Sequence, residues 1–298
     1  FQSYNSKQTV DENNPIIPLV FGPTGSIGTF PSSDNAFTWA ISPSFHFNAD
    51  LMGYARLATG YRPGGPNTGV GSIPLTYGSD KVFQVEVGAK GYLADRKLSF
   101  DVAAFVIDWK NIQLQDTDAA TQFVFFTNGG GARSNGLELS AGWKPMEGLS
   151  IDGNVTLLDA TLTEALPLNA DADTLIGRNG DRLPASAKFS GNLSAQYDFN
   201  LTGSLDAFVG ATWTYVGTRK SAFASSAASR PRFDLPDYSS IDLRAGMNYD
   251  KNWHFNLFAR NLTNKEGVVT ADNRNGTSST TVRFLQPRTM GFSLARDF

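Results

Sequence analysis

The 298-residue chain carries 25 Lys+Arg against 28 Asp+Glu, a formal charge of −3, with 41% hydrophobic, 12% aromatic and 18% charged residues. That apolar and aromatic content excludes a disordered chain, and the lack of any Lys/Arg-rich run excludes a nucleic-acid binder. Two His and no Cys exclude zinc fingers, thiol catalysis and disulfide scaffolds.

No stretch approaches the ~18–20 uninterrupted apolar residues of a spanning helix. The most apolar run, Pro15 to Phe21, is short and broken by prolines. The chain starts at Phe1 with no charged segment followed by an apolar one, so a processed or truncated chain is expected. Membrane insertion is then open only to strands, because a closed barrel also satisfies every backbone group.

Taken in chain order, the elements alternate with period 2. Phe37 to Phe47 sets Thr38, Ser42, Ser44 and His46 on one face. Phe83, Val85, Val87 and Ala89 oppose Gln84, Glu86, Gly88 and Lys90; Leu137, Leu139, Ala141 and Trp143 oppose Glu138, Ser140, Gly142 and Lys144. Leu149, Ile151, Gly153, Val155 and Leu157 share a face, and from Ala187 to Phe199 one face is wholly apolar or small and the other wholly polar. Ile241 to Tyr249 repeats the split. Such strands run to about ten residues, beyond the roughly 5–6 usual in soluble sheets and near the 9–11 that a tilted strand needs to cross a bilayer.

Short links at 48–50, 94–96, 145–148, 200–202 and 250–251 alternate with long ones at about 11–35, 62–80, 114–130, 164–184, 217–236 and 265–286. One rim of tight turns and one of long loops is the pattern of a transmembrane antiparallel up-and-down β-barrel. About twelve strands fit in a single domain piece, 1–298, with aromatic residues gathered near strand ends as interfacial girdles. A soluble sugar-binding β-sandwich fails on strand length and loop asymmetry.

Asn261-Leu262-Thr263-Asn264-Lys265 after the strand Trp253–Arg260, and the terminal run from Pro287-Arg288 to Phe298, resemble the end of TonB-dependent outer-membrane receptors. Tyr54 to Asn67, Val85 to Tyr92 and Ala132 to Leu139 resemble the same family in its order. The resemblance implies a 22-stranded barrel around a plug, of which this chain is the C-terminal portion, without the plug and first strands. A self-closing twelve-stranded barrel is the geometric alternative. The resemblance further implies localisation in the outer membrane of a Gram-negative bacterium, surrounded by its lipid, and energy-coupled uptake of a scarce nutrient, most commonly a ferric siderophore. The partners so implied are the periplasmic protein TonB, the barrel-assembly machinery and the small-molecule ligand. No cofactor, metal or bond chemistry is implied. A passive pore or structural barrel without energy coupling is the competing function.

Met290, Phe292, Leu294 and Phe298 share one face of the last strand and match the family's assembly signal; Arg296 departs from it, where an apolar residue is usual. No catalytic constellation is found. Gly129-Gly130-Gly131 lacks the Lys and helix of a phosphate loop, and His46 and His254 lack ligating neighbours. Position in the long-loop rim nominates Tyr61, Arg62, Arg178 and Arg182 for ligand contact, since an Arg fork grips carboxylates or metal-chelate anions and rings stack on planar ligands. Their competing role is to pair with Asp171, Asp173 or Asp181. Asp116/Asp118 and Asp171/Asp173 have calcium-loop spacing but lack the Gly and bidentate Glu that follow in such loops. Arg219, Lys220, Arg230 and Arg232 give one loop a basic character, directed toward lipopolysaccharide phosphates. Deleting Phe298 is expected to slow membrane assembly more than it lowers final stability, and normal surface levels of that variant would refute this.

Overall fold

Backbone alternation becomes one continuous sheet. The computed structural model describes residues 2–9, 29–67, 73–117, 124–167, 175–223, 232–250, 252–273 and 280–297. Its main sheet has twelve strands: β1 (Ala40–Ile41), β2 (Ser44–His46), β3 (Leu51–Arg62), β4 (Asp80–Leu93), β5 (Leu98–Thr117) and β6 (Val124–Trp143). The remaining six are β7 (Leu149–Leu162), β8 (Phe189–Thr202), β9 (Leu205–Val216), β10 (Tyr238–Tyr249), β11 (Trp253–Arg260) and β12 (Thr289–Arg296). Every pairing is antiparallel and joins sequence neighbours, save that β1 and β2 both pair β3; β12 lies at one edge and β1 with β2 at the other. The sheet is an up-and-down meander whose two edges do not close on one another. The expected first strand is split at Ser42-Pro43 because proline cannot donate to the ladder.

Register carries the two faces across the sheet. Ala55, Val87, Ala104, Leu137, Leu157 and Phe189 form one row from β3 to β8. Ala195, Ala211, Leu243, Ala259 and Met290 form another from β8 to β12. On the opposite face Lys90, Asp101, Ser140, Asn154, Asn192, Thr214 and Ser240 line up from β4 to β10. A one-residue slip anywhere would exchange these faces, so the pattern specifies the register.

Among the described residues, the apolar face is not packed against a second layer. Val87 is 53% exposed, Leu193 50% and Phe292 73%, whereas the fully buried large side chains are Leu162, Leu166 and Leu235, all at the long-loop end. Leaving a Leu or Phe side chain in water forgoes about 1.5–3 kcal/mol each. The belt therefore matches hydrocarbon, the polar face water. On the polar face Tyr54, Phe105, Phe208 and Phe258 each lie across a glycine directly opposite them in register. A Cβ on Gly136 would stand 2.2 Å from the Phe105 ring, so only glycine lets that ring lie flat on the sheet.

Tight turns join β4 to β5 through Ala94, Asp95 and Arg96, all with φ between 52° and 66°, and place His46 and His254 beside this rim. His254 is held by Asn248 (2.8 Å) and Asp297 (3.1 Å), and the described residues contain no metal-binding cluster of His, Cys, Asp or Glu. The long connections carry small hairpins of their own, among them Gly65–Pro66 with Thr76–Tyr77, Arg219–Lys220 with Asp234–Leu235, and Val268–Asn273 with Thr280–Phe284.

The expected loop at 114–130 is largely strand, since β5 and β6 are 20 residues each. Asn111 (φ 57°) and Gly130 (φ 56°) stand between paired positions on the two strands, and beyond them the faces exchange. Ile112 thus joins Ala132 and Leu162 in a small core at the polar-face rim, though Lys110 points the other way. Replacing Leu193 by Arg is expected to cost about 2–4 kcal/mol in a bilayer-folding titration, and Asn192→Arg much less. Equal costs would overturn the assignment of faces.

Candidate functional site

Long-loop ends of the strands carry the charged side chains that could meet a ligand. Arg62 ends β3 and Asp80 opens β4, directly paired in register. Asp80 is 4% exposed and accepts from Arg62 Nη2 (2.5 Å) and Nε (3.1 Å), from Trp109 Nε1 (3.1 Å) and from the backbone N–H of Gln113 (3.4 Å). A carboxylate withdrawn from water needs this many donors. The Arg62 guanidinium lies 5.9 Å from the Trp109 ring while half of its side chain remains exposed. Asp80 thereby aims a cation along the polar face and leaves part of it open.

Tyr61 does not join that group. As the neighbouring residue on a strand it occupies the apolar face, opposite Lys81. Arg178 and Arg182 lie three strands away from β4, in the β7–β8 connection, where Asp181, Arg182 and Leu183 run beside the end of β7. The Asp181 carboxylate accepts from the backbone N–H of Arg178 (2.8 Å), closing a turn with Gly180 at φ 87°. It forms no ion pair with either guanidinium. Arg182 Nε and Nη2 are buried without a hydrogen-bond partner among the described residues. Asp118, Asp171 and Asp173 lie outside the described residues, as does the side chain of Asp116.

Other rim residues proved structural. Arg219 is 7% exposed, donates to the carbonyls of Val268 (2.8 Å) and Val269 (3.2 Å), and lies 5.3 Å from the Tyr238 ring. It ties the two hairpins over β9–β10 and β11–β12 together. Lys220 is bonded to Asp234, and this contact holds the Asp234 carboxyl below the usual carboxylate range. Of the four residues of the expected basic loop, Arg219 and Lys220 are bonded within the rim, Arg232 is exposed, and Arg230 lies outside the described residues.

The Asn261 to Lys265 motif acquires a physical role. Asn261, at φ 47°, accepts from the backbone of Lys265 (2.8 Å) and donates to the carbonyls of Lys265 (3.0 Å) and Gln286 (2.9 Å). Asn264, at φ 53°, accepts from the Arg288 backbone (2.9 Å). Together they close the base of the β11–β12 connection at 3% exposure for Asn261. Asparagine suits both positions, since it tolerates the left-handed region and its amide can replace backbone partners. The Asp80 cluster was not anticipated; the register of Arg62 against Asp80 is its only signal, and register is not written in either residue.

Comparison with known proteins places this architecture. A sequence model for the family described as TonB dependent receptor-like, beta-barrel, matches residues 3–262. The metal-pseudopaline receptor CntO of Pseudomonas aeruginosa is 25% identical over 294 residues, 95% of this chain and 35% of that protein. The pesticin receptor of Yersinia pestis is 23% identical over 304 residues, 99% of this chain and 40% of that protein. The chain thus spans about a third of the curated relatives it matches. Among solved structures, the ferric yersiniabactin uptake receptor FyuA of Yersinia pestis superposes with a TM-score of 0.73 at 21% identity, covering 91% of this chain and 38% of that one. The ferripyoverdine receptor of Pseudomonas aeruginosa, bound to ferripyoverdine, gives 0.66 at 18% identity over 91% and 34%.

Removing the Asp80 carboxylate as Asp80→Ala is expected to destabilise the protein by about 2–4 kcal/mol, because four donor groups on three residues lose a buried acceptor. Thermal unfolding in detergent checks this, and an unchanged midpoint would refute the cluster's role.

Proposed function

The chain belongs to the TonB-dependent receptor β-barrel family, a family of outer-membrane proteins of Gram-negative bacteria, and we propose that it forms the C-terminal wall of an energy-coupled uptake receptor. In this reading 1–298 supplies twelve strands of a 22-stranded barrel around a plug. The cargo is a metal chelate, most simply a ferric siderophore, captured at the long-loop rim without bond chemistry. TonB on the tight-turn side supplies the energy, and the barrel-assembly machinery inserts the protein through the terminal strand bearing Met290, Phe292 and Leu294, while Phe298, the fourth residue of the expected signal, lies outside the described residues.

The observation that carries the proposal is the continuous polar face opening onto a rim with cationic groups not fully committed. Arg62 is aimed by Asp80 yet half exposed, and Arg182 holds two buried donors without partners among the described residues. Such donors recognise carboxylate or catecholate oxygens bidentately, and an anionic chelate would satisfy what the protein leaves open. Arg178 stands exposed at the start of the turn that Arg182 follows. Tyr61, nominated for the same contact, lies on the opposite face of β3 from Arg62 and carries no part of this proposal. The relatives support the cargo class: one is a metal-pseudopaline receptor, one a ferric yersiniabactin uptake receptor, and one a ferripyoverdine receptor with ferripyoverdine bound.

The test uses the protein in its own outer membrane with a panel of radiolabelled ferric siderophores under iron limitation. Uptake is expected to saturate, to stop on adding a protonophore, and to require about tenfold more ligand for Arg182→Ala, the loss of one charged hydrogen-bond pair. Protonophore-resistant flux that stays linear in concentration would instead identify a passive pore.

A further inference from the structure

Two lysines occupy the face that should meet lipid. Lys81 on β4 and Lys110 on β5 are directly opposed in register, and both are exposed. Lys81 continues the alternation of Phe83, Val85 and Val87, so the pair crowns the apolar belt at its long-loop end. Like charges directly opposite one another on a sheet repel. Neither ammonium has an ion-pair partner among the described residues. One row closer to the belt, Asp108 is already neutralised by Arg133 (2.6 Å). Glu164 is the other carboxylate nearby, beside Gly131, which faces Lys110 across the β5–β6 ladder.

Beneath the lysines is a groove of about 440 Å³ lined by Phe37, Thr59, Tyr61 and Phe83 together with both lysines and Asp108. Phe37 is 73% exposed, and Trp39 packs on Phe83 with ring centroids 6.2 Å apart. Its floor is apolar and its upper edge is doubly cationic. That polarity is the one a lipid presents at the boundary between acyl chain and headgroup.

We propose that this groove holds the phosphate-bearing headgroup of an anionic lipid in the leaflet on the long-loop side. The phosphate bridges Lys81 and Lys110, and an acyl chain lies along Phe37 and Phe83. The bridging anion turns a repulsive pair into an attractive triplet in a medium that screens little, where Coulomb terms exceed their value in water. A free phosphate would gain the charges but not the apolar floor. The inference rests on the outward face meeting lipid and is independent of the cargo.

The experiment takes the protein purified in mild detergent from its own outer membrane and counts bound lipid by native mass spectrometry. Lipid A and its phosphatase-treated form are the probes, with inorganic phosphate in large excess as competitor. The Lys81→Gln/Lys110→Gln variant is expected to bind lipid A at least about tenfold more weakly than wild type, a loss of one strong charge-assisted contact. Dephosphorylated lipid A should bind wild type and variant alike, and inorganic phosphate should not displace the intact lipid. Equal retention of lipid A by both proteins would overturn the proposal, as would displacement by inorganic phosphate. In lipid-free micelles the variant should melt no lower than wild type, since it loses a repulsion; a lower midpoint would assign the lysines a purely structural role. Siderophore uptake by the same variant should be unchanged, so a failed lipid result and a failed uptake result are told apart.

Discussion

Inside hydrocarbon a peptide group has no water to turn to, and every N–H and C=O must find another backbone group. That single demand organises this molecule. Each of the long strands is bonded to its sequence neighbours by an antiparallel ladder, interrupted at Asn111 and Gly130 and shifted near Asn200, and the order across the sheet follows the chain. Once pairing is sequential, period-2 alternation assigns the side chains without further choice. Leu193 and its row turn to lipid, while Asn192 and the polar row from Lys90 to Ser240 turn to water. The usual hydrophobic core is reduced to a small cluster around Leu162 and Leu166 at the rim.

The rim obeys a different accounting, because its backbone leaves the ladder and must be satisfied by side chains. Amide groups meet much of that need. Gln113 donates to the carbonyls of Pro63 and Gly78, Asn128 to Gly78, and Asn67 exchanges two bonds with Phe126. Arg219 serves two more carbonyls from a buried position. These contacts fix the bases of the connections, so the long loops rise from a rigid collar.

The same residue type plays three parts here, and its surroundings decide which. Arg219 is a staple between hairpins that leaves its Nε unbonded, Arg133 a partner for Asp108 on the outward face, and Arg182 a side chain whose Nε and Nη2 are buried without a partner among the described residues. Nothing in an arginine's sequence neighbourhood separates these roles. The contiguous pair Tyr61-Arg62 shows the limit well: side by side in the chain, they are on opposite faces because a strand turns each successive Cβ over.

Alternation, strand length and the unequal connections determined the barrel class, the strand count and the inward and outward faces, because those follow from local period and from the need to pair backbone. The terminal motifs likewise pointed to the family that the comparisons establish. What only the tertiary structure decided lies where the ladder is perturbed or left. Asn111 and Gly130 exchange the faces of β5 and β6, carrying both strands beyond their expected ends, and register alone brings Asp80 to Arg62 and Lys81 to Lys110. Such meetings join residues 18 to 29 positions apart, and their energies depend on which strand lies alongside which, a quantity that no single stretch of sequence contains.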